Sequence, residues 1–264
     1  MKSFITLQHK EFRYPNKGYC SIVNSIIMNA GLHYLEYGNY NVFTDDNQIL
    51  DFFENKFKYK EVEEEGAEYF DISRKFLTLF FSEEIKKYDI FNYDSHKPVK
   101  KEILLKKKEI LDNVLSLKKE ILEEFEISSK KFISENTLGI QLRGTDKVTE
   151  LPEIPIEKIK NKIDFILENN NIDSIFLATD DFKYLSLLSN RYGDLIKYNK
   201  KNIISYDNRP IHLTEKDRYN VNKQVLSDVY TLSKCQNFLY CYSNVSYLAS
   251  IMGVGNFKLL ELLN

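Results

Sequence analysis

The feature that most constrains this chain is an alternation that begins near residue 136. Short apolar runs at 137–142, 174–178, 195–196 and 238–241 are separated by stretches of helical periodicity at 156–167, 182–192 and 225–235, and a last helical stretch covers 243–252. Continuous apolar runs of strand length belong to strands buried on both faces, and the helical segments between them supply the crossovers. The spacing predicts β-α-β-α-β-α-β-α, a parallel sheet with both faces covered. Ligands in such sheets bind beyond the carboxyl ends of the strands. Three polar clusters fall there: Arg143-Gly144-Thr145-Asp146, Thr179-Asp180-Asp181 and Ser243-Asn244.

The N-terminal part is patterned differently. A strand-like start is followed by turn chemistry in Tyr14-Pro15-Asn16-Lys17-Gly18-Tyr19. Ser21 reads as an N-cap, with Ile22, Val23, Ile26, Ile27 and Ala30 at helical spacing after it. Gly38 ends that helix and 40–43 reads as a strand, which makes a βαβ opening. A helix is expected over 49–57, an acidic loop over 61–68, and either a strand or a buried helix over 76–81. After Pro98 a long amphipathic helix is expected, since Ile103, Ile110 and Leu117 recur every seven residues. Its basic run, Lys106-Lys107-Lys108, reads either as a solvated helix face, the commoner case, or as a contact for an anionic acceptor or a membrane surface. Two domains are therefore expected, 1–135 and 136–264.

The 264 residues, 43% hydrophobic, suffice for one large domain or two small ones. A net charge of −2 argues against a nucleic-acid binder. The N-terminus lacks the apolar run of a signal peptide or anchor. Cys20, Cys235 and Cys241, odd in number and in apolar surroundings, read as buried free thiols of a reducing compartment. There is no G-x-x-x-x-G-K-[ST] loop, no D-x-D motif, and no Cys/His pair with zinc spacing.

The polar clusters each admit two readings. A guanidinium at a strand end suits a phosphate, because its fork donates bidentate bonds, and Gly144 permits close backbone approach. Arg143 and Asp146 fit a structural pair equally well. Ser243-Asn244 opens a helix, where free N–H groups attract anions, although an ordinary N-cap is the simpler reading. Asp228 lies within the apolar stretch Val225-Leu226-Ser227-Asp228-Val229 and needs a partner if buried. It could accept N–H bonds from a purine or face water. Asp180 and Asp181 could contact a ribose or a donor sugar, or cap the next helix. Transfer from a nucleotide sugar needs positive charge on a diphosphate and a base for the acceptor hydroxyl. Arg143 and the helix end at Ser243 can supply the first, and Glu150 or Glu153 the second.

Taken together these segments resemble the α1,6-fucosyltransferase family, which includes core-fucosylating enzymes and nodulation fucosyltransferases. The family's H-x-R-R-T-D-K-V is similar to Gln141-Leu142-Arg143-Gly144-Thr145-Asp146-Lys147-Val148. Its L-A-T-D-D matches Leu177-Ala178-Thr179-Asp180-Asp181, its L-D-I-x-x-L-S resembles Ser227 to Ser233, and its S-x-V-x-x-x-A resembles Ser243 to Ala249. The likeness covers about residues 138–252, in the same order and with similar spacing. Before them, only Gly18-Tyr19-Cys20-Ser21 ahead of a helix gives a weak match.

The resemblance implies a GT-B-like fold of two Rossmann-like halves, with the donor held mainly by the C-terminal half. It implies GDP-fucose as donor, inversion at the anomeric carbon, no metal and no further cofactor. By position, Arg143 would bind the donor phosphates, and Gln141, Gly144 and Asp146 would complete that loop. Asp180 and Asp181 would line the pocket, Asp228 would pair with guanine N–H groups, and Ser243 with Asn244 would hold the diphosphate. Glu150 falls one residue short of the family's acidic base. Gln141 stands where the family has His and Gly144 where it has a second Arg, one cation fewer; Lys147 is a candidate substitute. The partner implied is a glycan or glycolipid acceptor, met in the cytosol or at the inner face of a membrane. A transferase for another nucleotide sugar, or a non-catalytic nucleotide-sugar-binding protein, fits the same residues.

Overall fold

The computed structural model describes residues 5–7, 18–40, 42–44, 47–56, 99–145, 152–207, 209–211 and 217–263. The expected loop at 61–68 and the apolar run at 76–81 lie outside them, as do Asp146, Lys147 and Glu150. The chain divides into two compact units, one holding the described residues up to Leu122 and the other those from Glu123 onward.

The first unit opens as a βαβ element. Strand β1 (Ile5–Leu7) pairs in parallel with β2 (Val42–Thr44), and α1 (Tyr19–Tyr37) connects them. The helix starts earlier than Ser21 suggests. Gly18 is its N-cap, and the Gly18 carbonyl accepts the Ser21 N–H at 2.9 Å, so Ser21 sits in the first turn. Gly38 ends the helix at φ 70°, donating its N–H to Tyr34 O at 2.7 Å, a left-handed cap that favours glycine. Ile22, Val23, Ile26, Ile27 and Ala30 are all buried.

Two expected helices are cut short by the same strand pairing. After the single turn α2 (Asn47–Leu50) the chain extends into β3 (Phe53–Asn55). The Asn55 amide donates to Thr44 O at 2.9 Å and accepts the Thr44 N–H at 3.1 Å. Strand β3 pairs antiparallel with β4 (Leu115–Leu117), which interrupts the long amphipathic stretch and leaves α3 (Lys101–Val114) and α4 (Lys119–Ser129) on either side. Leu117 keeps its place in the seven-residue recurrence but lies opposite Phe53 in a sheet. Tertiary pairing has overridden a local periodicity. The basic run is also not one solvated face. Lys106 and Lys108 pair with Glu109 and Asp112, whereas Lys107 is buried, and burial lowers its ammonium pKa to about 8.

The second unit follows the expected alternation closely. Its elements are β5 (Thr137–Leu142), α5 (Ile156–Asn169), β6 (Ser174–Thr179), α6 (Phe182–Tyr192), β7 (Ile196–Lys197), α7 (Arg218–Lys234), β8 (Asn237–Tyr240), α8 (Asn244–Gly253) and β9 (Leu259–Leu262). Helix α7 begins seven residues before the expected start, capped by Asp217, and β9 was not foreseen in the pattern. Every pairing is parallel, in the order β7-β6-β5-β8-β9. The chain lays strands outward from β5 to β7 and then returns to the other side of β5. The topological switch therefore lies between β5 and β8, the place where sheets of this topology form a crevice at the carboxyl ends.

All six residues of β5 are buried. Leu138, Ile140 and Leu142 pack with Ile159, Ile163, Leu177, Leu185 and Leu239 in one core. On the other face α7 lies close enough that a methyl group at Gly139 would stand 3.0 Å from Cys235 Sγ and 3.2 Å from Leu232 Cδ2. Gly139→Ala is therefore expected to destabilise the protein by about 1–3 kcal/mol, read as a lower midpoint of urea unfolding.

Candidate functional site

The parallel register sets the site. Gln141 pairs with Ala178 on one side and Tyr240 on the other, and Leu142 with Thr179. Arg143, Asp180 and Cys241 consequently lie one step beyond neighbouring strand ends, and the three polar clusters meet at the carboxyl edge of the sheet.

Asp180 organises the loop after β5. Its carboxylate accepts the Gly144 N–H at 3.0 Å and the Thr145 hydroxyl at 2.8 Å, and Arg143 Nε lies 3.8 Å from it. Asp180 is itself held through its backbone, since its carbonyl accepts the Ser205 N–H at 2.9 Å. Asp181 is the N-cap of α6, accepting the Lys183 N–H at 2.8 Å. Burial raises its carboxyl pKa, opposed by that backbone bond. Asp181 also explains Gly144, because a Cβ there would stand 2.0 Å from Asp181 Oδ2 and 2.8 Å from Asp181 Cβ. The position tolerates no side chain unless Asp181 moves.

Gln141 joins β5 to α8. Its Oε1 accepts from Ser243 Oγ at 2.9 Å, Ser246 Oγ at 2.5 Å and Cys241 Sγ at 3.2 Å. Ser243 in turn caps α8, accepting the Ser246 N–H at 3.0 Å. The Arg143 backbone N–H reaches the Cys241 sulfur, and burial pushes that thiol up to about 12, so it is protonated at neutral pH. Asn244 is the first residue of α8, and the helix begins at the crevice, where its dipole places partial positive charge.

Asp228 lies on α7 and is buried. Asn202 Nδ2 donates to its carboxylate at 2.8 Å, and burial raises its pKa from 3.8 to about 7 against that bond. Ile203 pairs both ways with the Gln224 amide, which fixes the Asn202 loop against α7. Glu153, one of the two acids suited to a base, is exposed and paired with Lys183. Cys20, Cys235 and Cys241 are buried and form no disulfide. Among the described residues no group of three or more His, Cys, Asp or Glu side chains could hold a metal ion, and no helix is long and apolar enough to cross a membrane.

No protein-family model and no curated protein matches the sequence. Solved structures do match the fold. NodZ α-1,6-fucosyltransferase soaked with GDP-fucose superposes with a TM-score of 0.57 at 13% identity, over 96% of this chain and 93% of that one. NodZ from Bradyrhizobium gives 0.56 at 14% identity, over 94% and 92%. An Arabidopsis thaliana FUT1 variant in complex with GDP gives 0.53 at 12% identity, over 96% and 69%. The fold is that of the GT-B-like fucosyltransferases.

On this fold three residues that residue patterns did not single out bond to the predicted site residues. Ser246 shares the Gln141 oxygen, and its three-residue spacing from Ser243 was a readable capping signal. Ser205 and Asn202 carried no local signal, because their partners Asp180 and Asp228 are distant in sequence. Gln141→Leu is expected to remove the acceptor of the Ser246 hydroxyl and the Cys241 thiol, while Ser243 keeps Ser246 Oγ, costing about 1–3 kcal/mol, with thermal unfolding as the readout. Asp228 keeps its proton in the folded state between about pH 4 and pH 7, where the unfolded chain has lost it. Stability should fall as pH rises through that window, and Asp228→Asn should remove the fall, measured by denaturant unfolding at several pH values.

Proposed function

We propose that the chain is an inverting glycosyltransferase that moves fucose from GDP-fucose to a glycan acceptor hydroxyl. The observation that supports this reading is that Arg143 and the α8 N-terminus follow the carboxyl ends of the adjacent parallel strands β5 and β8, at the switch point. The fold likeness to structures soaked with GDP-fucose or holding GDP supports it.

In this reading the acceptor hydroxyl attacks the anomeric carbon as the bond to the diphosphate breaks, and GDP leaves. Arg143 and the positive end of α8 stabilise the charge that builds on the diphosphate. Asp180 lines the donor pocket and holds the Arg143 loop, while Asp181 anchors α6 beside it. Asp228 accepts guanine N–H bonds, which favours its ionised form over the protonated form that burial favours. Glu150 takes the acceptor proton; Glu153 is engaged by Lys183. The N-terminal half binds the acceptor glycan. Gln141 serves this site through the α8 cap rather than by touching the donor.

GDP is expected to raise the thermal midpoint and UDP to leave it unchanged. Arg143→Ala should lower GDP release from GDP-fucose about a hundredfold. Absence of a GDP shift at millimolar levels would overturn the donor assignment, and normal turnover by Arg143→Ala would overturn its role.

A further inference from the structure

A cavity in the C-terminal unit lies beside Asp228, since Asn202, which donates to Asp228, is in its lining. It encloses about 1170 Å³ between α4, the end of β7 with the following loop, and the first half of α7. None of Gln141, Arg143, Asp180 or Ser243 lines it. Its lining carries Lys131, Lys197, Lys200, Lys201 and Lys223 against Glu124 and Asp194. Lys223 and Glu124 neutralise each other at 2.7 Å. Four lysines then face one aspartate, in a chain whose net charge is −2.

This differs from the lysines of α3, where Lys106 and Lys108 have acidic partners one turn away. Like charges gathered around a concavity repel one another and focus a positive field within it. The rest of the lining narrows the ligand. Asn199, Ser128 and Ser189 add neutral hydrogen-bonding groups, and Phe132 and Tyr198 add rings. Amides and hydroxyls match sugar hydroxyls, rings match the apolar faces of sugars, and ammonium groups match carboxylates or phosphates. The volume exceeds what a single small anion fills.

We propose that this cavity binds an acidic oligosaccharide, apart from the strand-end groups Arg143 and Ser243 proposed to hold the donor phosphates. The cavity shares none of those four residues with the donor assignment and adjoins it through Asn202, the partner of Asp228.

Isothermal titration calorimetry on the full chain tests this, with tetragalacturonate as probe, maltotetraose as neutral sugar and citrate as anion without sugar. Tetragalacturonate is expected to bind, and to weaken about tenfold between low salt and about 300 mM NaCl. The double variant Lys200→Ser with Lys201→Ser should weaken it about tenfold and leave GDP binding and thermal unfolding unchanged; the two lysines are exposed, so the fold does not depend on them. No binding of tetragalacturonate, equal binding of maltotetraose or citrate, or an unaffected double variant would overturn the proposal. Loss of GDP binding in the double variant would also overturn it, by making the cavity part of the donor site. Failure of GDP to bind the unmodified chain would sink the donor assignment alone.

Discussion

One amide oxygen holds the crevice in shape. Gln141 Oε1 takes hydrogen bonds from Ser243, Ser246 and Cys241, and so joins the end of β5 to the strand and helix across the switch point. The group is buried, where a polar atom without a partner is costly, and the Ser243 and Ser246 hydroxyls are also bonded to each other at 3.2 Å. The cap of α8, and hence the direction of its positive end, is fixed by this contact. Asp180 does the corresponding work on the other side of β5, tying the Gly144 amide, Thr145 and Arg143 to the end of β6.

These two anchors give the sequence departures a physical meaning. Gln141 in place of His is a structural acceptor, and what it receives are hydroxyls and a thiol. Gly144 in place of Arg is imposed by Asp181, whose carboxylate occupies the space a Cβ would need. Arg143 is the arginine that the loop holds, and among the described residues the α8 N-terminus is a further positive element at the strand ends.

Asp228 and Lys107 mark the opposite electrostatic regime. Each is an ionisable group inside a packed helix face, and in each burial favours the neutral form. Asp228 has an amide partner in Asn202, whose bond favours the charged form against burial. Lys107 lies in the N-terminal unit, on a helix whose other lysines of the run are paired at the surface.

Much of the C-terminal unit was legible because its strands are buried on both faces and its helices are amphipathic, so period and length separate them without tertiary information. The residue positions of the crevice followed from strand ends alone. What the residues there do was decided by contacts between distant segments: Gln141 with Ser246, Gly144 with Asp181, and Asp228 with Asn202. In the N-terminal unit the same limit reached the secondary structure itself. Residues 53–55 and 115–117 carry helical periodicity, but they pair as strands because Asn55 clamps Thr44 and the two segments satisfy each other's backbone. By itself the sequence determined a parallel α/β sheet and where its polar strand ends fall, since burial pattern is a local property. Only the tertiary structure decided which polar groups answer one another, since hydrogen-bond partners are set by approach in space.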